Sequence, residues 1–260
     1  MPTPKIILEF KDVYAAHEDG KEVLRGLNFQ MFEGEILGLI GASGSGKSSL
    51  ARLIIGDLQL SSGKVYFDGE ELMAAAAGRS GRREKRIAMV FQDPNSALHP
   101  YKSIERQLKD VLTVSGQVEL LRDRSAFVQL QRELGLDPEL SKRYPIALSG
   151  GQKQRAAIAC ALLSRPQLLI ADEAVSALDL SVQAQILNYF RFLHESRDFS
   201  TLFISHDLDV MAYLCDRIMV LEEGQIVEIA KTEELIRDPK SAVARDLLAS
   251  AEVFQNEMRL

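Results

Sequence analysis

Three groups of residues in this chain have types and spacings that could do chemistry. The first, Gly41-Ala42-Ser43-Gly44-Ser45-Gly46-Lys47-Ser48, fits the pattern G-x-x-x-x-G-K-[ST] and follows the apolar run Ile36-Leu37-Gly38-Leu39-Ile40. Glycines let successive amides turn inward onto phosphate oxygens, and a helix starting at the lysine adds its positive N-terminal end. Lys47 would bring charge to the β and γ phosphates of a nucleoside triphosphate, and Ser48 a hydroxyl to magnesium. A glycine- and serine-rich linker is the alternative. Against it stand the preceding strand and the helical segment Ser49 to Ile55, with Gly56 as its terminator.

The second group is Asp172-Glu173, at the end of the apolar run Leu168-Leu169-Ile170-Ala171. This is the pattern of a buried parallel strand that delivers carboxylates at its C-terminal edge. The third is Leu148-Ser149-Gly150-Gly151-Gln152, which opens a helix running to Leu163 with Pro166 beyond it. A helix N-terminus is a second place for an anion, although the first group already provides for one.

The elements that must carry these groups alternate between strand and helix patterns. Residues 6 to 40 are β-rich, with Leu27, Phe29 and Met31 alternating against Asn28 and Gln30, and Glu33-Gly34 turning into the strand before the first motif. Lys64 to Phe67 with the turn pair Asp68-Gly69 forms one arm of a small antiparallel sheet, and Leu58 to Gly63 is expected to be a loop. Ala74 to Ala77 followed by Arg79, Arg82, Arg83, Lys85 and Arg86 is a solvated charge run without the interleaved aromatics that stack on bases. Ile87 to Phe91 is a short strand ended by Gln92-Asp93-Pro94. From about 95 to 165 the pattern is helical: Phe127, Leu130 and Leu134 have an apolar spacing of 3 and 4, with Arg124, Gln131 and Arg132 interspersed, and Gly135 closes the segment. Ser181 is expected to cap a helix bearing Val182, Ile186, Tyr189, Phe190 and Leu193. Thr201 to Ser205 is a buried-type strand leading to His206-Asp207. Arg217 to Leu221 and Gln225 to Ile229 pair antiparallel, and Thr232 is expected to cap a helical tail opened by Glu233 and Glu234.

With 260 residues, 46% of them hydrophobic, the chain can bury a large core. Its formal net charge of -6 gives no general attraction to nucleic acid or to an anionic membrane. Cys160 and Cys215 lack metal-ligand or disulfide spacing, which points to a reducing compartment. No run approaches the roughly 18 apolar residues of a membrane span, and the start Met-Pro-Thr-Pro-Lys lacks the features of a signal peptide. A membrane role is therefore expected to come through a partner.

Taken together, these motifs resemble the ATP-binding cassette family, the nucleotide-binding subunits that drive membrane transporters, over nearly the whole chain. The stretches Phe91 to Pro100, Tyr144-Pro145 and Ser176 to Gln185 are similar to its oligopeptide, dipeptide and nickel importer branch. The resemblance implies an α/β fold with a P-loop, RecA-like core around a parallel sheet (about 1–92 and 166–230, with an antiparallel β subdomain). It also implies an inserted helical subdomain (about 93–165) and a short helical tail (231–260). ATP and magnesium are the implied cofactors. Gly41, Ser43, Gly44, Ser45, Gly46, Lys47, Ser48 and Ser49 would bind the phosphates, with Ser48, Gln92 and Asp172 at the magnesium. Glu173 would polarise the attacking water, or serve as a second acid beside the magnesium or in a salt bridge. Gln92 would sense magnesium and the γ phosphate, and His206 would contact that phosphate. Asp179 would sit in a loop crossing a dimer interface, or equally cap the next helix. Ser149, Gly150, Gly151 and Gln152 would cap the ATP of a second subunit packed head to tail, so that an isolated subunit is expected to bind ATP and hydrolyse it poorly.

The implied partners are that second ATP-binding subunit, polytopic membrane subunits and an external solute-binding protein, without nucleic acid. The implied location is peripheral, at the cytoplasmic side of the inner membrane. The alternative is a soluble non-transport ATPase of DNA repair or of cofactor assembly; against the first, about 100 residues between the first motif and the third are too few for a long coiled-coil arm at ~1.5 Å per residue. Several positions depart from the family. His17 stands where an aromatic ring usually stacks on adenine, with Tyr14 three positions away. Ala42 replaces a common glutamate, Ala174 a proline and Ile146-Ala147 a polar pair. Any function housed in a longer C-terminal extension is expected to be absent.

Overall fold

The computed structural model describes residues 4–72, 86–176, 178–195 and 199–257. In chain order they form β1 (Ile6–Ala16), β2 (Glu22–Phe32), β3 (Ile36–Ile40), α1 (Lys47–Ile55), β4 (Leu60–Phe67), β5 (Glu70–Glu71) and β6 (Ile87–Val90). There follow α2 (Ile104–Val114), α3 (Glu119–Arg122), α4 (Arg124–Glu133), α5 (Pro138–Ser141), α6 (Gly150–Leu163), β7 (Leu168–Asp172) and α7 (Leu180–Glu195). The chain ends in β8 (Ser200–Ile204), α8 (Leu208–Leu214), β9 (Arg217–Glu222), β10 (Gln225–Lys231), α9 (Thr232–Arg237) and α10 (Ala242–Glu257). These elements divide into two compact units, Met1–Ser80 with Ser200–Leu260, and Gly81–Phe199. The run Ala74 to Ala77, Arg79, Arg82, Arg83 and Lys85 lies outside the described residues, as do Ala177 and the side chains of Tyr189 and Leu193.

In the first unit, β3 lies between β8 and β9, parallel to both, with β10 antiparallel on the far side of β9. Every residue of β3 is buried, as its uninterrupted apolar sequence requires of a strand covered on both faces. A separate antiparallel sheet has the order β2-β1-β4-β5, and Leu24, Leu27, Phe29 and Met31 of β2 turn inward while Asn28 and Gln30 face out. The expected loop at Leu58 to Gly63 is instead partly strand. β4 begins at Leu60, and its polar residues give no alternation because this end is held by backbone pairing to Tyr14 and Ala15. Gly63 is required there: a Cβ would come within 2.1 Å of the Asp12 carbonyl oxygen, where β1 bulges with Asp12 at φ 48°.

In the second unit, β6 and β7 pair in parallel, and the alanine-rich α6 buries Ala156, Ala157, Ile158 and Ala159. The α4 stripe is not uniformly apolar. Gln131 is 2% exposed because its amide is satisfied internally, donating to the Phe127 carbonyl and accepting from the Ser141 hydroxyl at 2.6 Å. Two expected caps also move. Asp179, not Ser181, accepts from the Val182 amide at 3.0 Å, since a cap bonds three residues ahead and Ser181 already lies inside the helix. Thr232 donates its hydroxyl to the Cys215 carbonyl at 2.6 Å, and α9 starts without a side-chain cap, although Glu233 and Glu234 do occupy its first turn.

A partly buried ion pair anchors the entry to β3. Glu35, 6% exposed, accepts from the Phe32 amide at 2.7 Å and from Arg217 Nη1 at 3.0 Å, while the Arg217 guanidinium lies 5.4 Å from the centre of the Phe32 ring. Burial pushes the Glu35 carboxyl above its ordinary value of 4.5, and the Phe32 amide and Arg217 pull the other way. The native chain therefore binds more protons at this site than the unfolded chain, and the stability it contributes at low pH is lost as pH rises through the raised value. Arg217→Ala leaves the carboxylate buried without its cation. It is expected to cost about 2 kcal/mol at pH 7 and less near pH 5, where Glu35 can take up a proton. Urea unfolding at the two pH values checks this; an equal loss at both would contradict it.

Candidate functional site

The loop between β3 and α1 is shaped by what lies beneath it. A Cβ on Gly41 would fall 2.2 Å from the Leu221 carbonyl oxygen and 2.7 Å from Ser45 Oγ, and one on Gly46 would fall 2.9 Å from the Val23 carbonyl oxygen. The backbone thus rests directly on β9 and β2. Gly44 and Gly46 take φ of 78° and 108°, conformations that only glycine adopts at little cost. The Gly224 amide of the β9–β10 turn donates to the Ser45 carbonyl at 2.8 Å and fixes the loop from below.

As the N-cap of α1, Gly46 brings no side chain to satisfy the amides of the first helical turn. Lys47 arches over the loop, its ammonium donating to the carbonyls of Gly41 at 2.8 Å and Ala42 at 2.9 Å. Ser43 and Ser48 are exposed and Ser49 is half-buried. Ser45, 4% exposed, keeps a hydroxyl without a hydrogen-bond partner. A helix start without a side-chain cap, an orphaned buried hydroxyl and a lysine ammonium over a glycine-rich loop fit a polyphosphate. Gly56 ends α1 as its sequence indicates, its amide bonding back to Arg52 and Leu53.

The second unit brings Gln92 and Glu173 together. Gln92 Nε2 donates to Glu173 Oε2 at 2.8 Å. Asp172, 6% exposed, closes β7, and Glu173 turns out of the strand at φ 46°, a strained conformation for a side-chain-bearing residue. The Ser176 hydroxyl and amide hold the Glu173 carbonyl at 2.9 and 3.3 Å. Ala174, in the position noted above for its missing proline, is fully buried. Among the described residues no three His, Cys, Asp or Glu side chains form a metal cage. Magnesium needs none, since it keeps water ligands and takes isolated oxygen donors such as a serine hydroxyl or a carboxylate.

Ser149 caps α6 in a reciprocal box: its hydroxyl accepts from the Gln152 amide at 3.4 Å, and Gln152 Oε1 accepts from the Ser149 amide at 3.0 Å. Gly150 is exposed, with nothing within 4 Å of where a Cβ would stand. The helix start at Ser149 and Gly150 is thus exposed, whereas Gly151, Gln152 and Lys153 are half-buried. His206, exposed, follows β8, and the adjacent Asp207 caps α8. His17 follows β1 and opens a tight turn closed by its carbonyl and the Gly20 amide at 2.9 Å. Tyr14 points out of β1 and lays its hydroxyl 3.0 Å from where a Gly26 Cβ would be, so its ring covers the neighbouring strand.

Sequence reasoning missed Gln154. It is 1% exposed, and its Nε2 donates to the carbonyls of Ala174 at 2.9 Å and Phe91 at 3.3 Å. Its Oε1 is buried without a partner, which costs about 1–3 kcal/mol. The only sequence signal was a glutamine on the otherwise apolar face of α6.

Comparison with known proteins agrees with this geometry. The family model described as ABC transporter matches residues 24–176. A putative peptide import ATP-binding protein of Brucella ovis is 39% identical over 233 residues, 88% of this chain and 72% of that protein. The oligopeptide transport ATP-binding protein OppF of Streptococcus pyogenes serotype M1 is 36% identical over 256 residues, 95% of this chain and 82% of that protein. Among solved structures, the ATP-binding cassette MJ0796, in a dimeric post-hydrolysis state bound to ADP and Pi, superposes with a TM-score of 0.76 at 27% identity, covering 87% of this chain and 99% of that one. The chain therefore belongs to the ABC transporter family, as one of its ATP-binding, ATP-hydrolysing members.

Proposed function

We propose that this chain is the ATPase subunit of a membrane importer whose cargo is peptides rather than nickel. The observation that carries the reading is the uncapped, glycine-lined loop from Gly41 to Ser49, and the relatives named for peptide import support the cargo class. No helix among the described residues is long and apolar enough to cross a membrane, so attachment at the cytoplasmic face of the inner membrane would come from polytopic subunits. An external binding protein would deliver the peptide to those subunits. Recovery with polytopic membrane proteins on purification from native membranes is the expected outcome. A stable complex with soluble proteins alone would overturn the transport reading.

In this reading Lys47 and the loop amides bind the phosphates, and Ser48, Gln92 and Asp172 supply oxygen donors to magnesium, which would neutralise phosphate charge. Glu173 orients and polarises water, and His206 contacts the γ phosphate. The helical stretch 93–165 carries the exposed start of α6, which would cap ATP held by a second ATP-binding subunit. A dimer is consistent with the dimeric state named for MJ0796. Glu173→Gln removes the carboxylate while keeping a partner for Gln92. It is expected to retain ATP binding, lower turnover about 100-fold or more and accumulate an ATP-bound dimer. Steady-state hydrolysis with size-exclusion chromatography checks this; undiminished turnover would reject Glu173 as the base.

A further inference from the structure

The Gln154 amide is oriented without ambiguity, because both groups it meets are carbonyl oxygens and only its NH2 can bond them. Those two carbonyls flank the reactive pair. Phe91 immediately precedes Gln92, Ala174 immediately follows Glu173, and Gln92 and Glu173 are bonded to each other at 2.8 Å. The contacts close a ring: the Gln154 side chain, the Phe91 backbone, the Gln92 side chain, the Glu173 side chain and the Ala174 backbone. Gln154 also stands in the second turn of α6, whose first turn holds the Ser149–Gln152 capping box. A helix transmits displacement along its axis, so a movement of its first turn reaches both carbonyls through one side chain.

We propose that Gln154 is a positioning residue for ATP hydrolysis. It sets the backbone on either side of Gln92 and Glu173, and it makes the placement of the Glu173 carboxylate depend on the position of the helix that begins at Ser149. The claim rests on the reading of Glu173 as the group that polarises water. It explains why a buried amide is kept although its oxygen has no partner: the donor half has two carbonyls to hold.

The test uses the full chain at a concentration that gives measurable wild-type turnover. Gln154→Met keeps length and volume but removes the donor, and Gln154→Glu turns it into an acceptor facing two carbonyls. For each, kcat is expected to fall about 10- to 100-fold, the scale of a misplaced catalytic group. The KM for ATP should stay within about twofold and the unfolding midpoint within a few degrees, because the phosphate loop is untouched. Wild-type kcat in Gln154→Met would overturn the proposal. So would a fall in kcat matched by a raised KM and a lowered midpoint, which marks a packing role only. Should Gln154→Met fail to fold, Gln154→Glu carries the same two criteria. Glu173→Gln measured alongside separates the claims. Normal turnover there removes the reading of Glu173 itself, whereas lost turnover there with wild-type kcat in Gln154→Met removes the positioning role alone.

Discussion

The structure depends on a close approach of backbone to backbone: the loop after β3 lies on the end of β9 with no side chain between them. At Gly41 even a methyl group would overlap the Leu221 carbonyl, and the Gly224 amide bonds the loop from the same side. β9 holds the loop from below, the Ser45 amide donates to the Ala42 carbonyl at 3.2 Å within it, and the first turn of α1 has no side-chain cap. β9 is in turn located by its parallel pairing with β3 and by the Glu35–Arg217 pair at its start. The end of β9 therefore lies against both Gly41 and Gly46 of the loop.

Much of this was legible in the sequence because the constraints are local. An apolar five-residue run covered on both faces has to be a buried strand, and Gly-x-x-x-x-Gly-Lys-Ser after it leaves few backbone paths. The acids at the end of β7 and the glycines at the start of α6 were equally readable, each being the terminus of a strongly patterned element. What escaped was set by partners far along the chain. Nothing in Leu60 to Gly63 signals a strand, since its pairing partner is a bulge about fifty residues earlier. Thr232 has the residue type of a cap but finds the buried Cys215 carbonyl nearer. Gln131 and Gln154 are polar by type and buried by circumstance, and only the structure supplies the carbonyls and the hydroxyl that satisfy them.

The residues proposed for hydrolysis are thus held in two ways. The phosphate-binding loop is fixed by glycine contacts and a helix start, a rigid arrangement that would serve to bind. Gln92 and Glu173 are held by side-chain hydrogen bonds around a strained φ, an arrangement that can be exchanged for another at modest cost. In the proposed reading, binding and turnover would accordingly respond to different parts of the structure. That is the separation an ATPase requires if it is to hold nucleotide while awaiting a signal from a partner.

The most direct test of the account is amide hydrogen exchange in the full chain with and without magnesium ATP. If the uncapped loop binds the phosphates, the amides from Ser43 to Ser49 should exchange about tenfold or more slowly with nucleotide present, at protein concentrations too low for dimers. Unchanged exchange across that loop, with protection appearing elsewhere, would contradict the account.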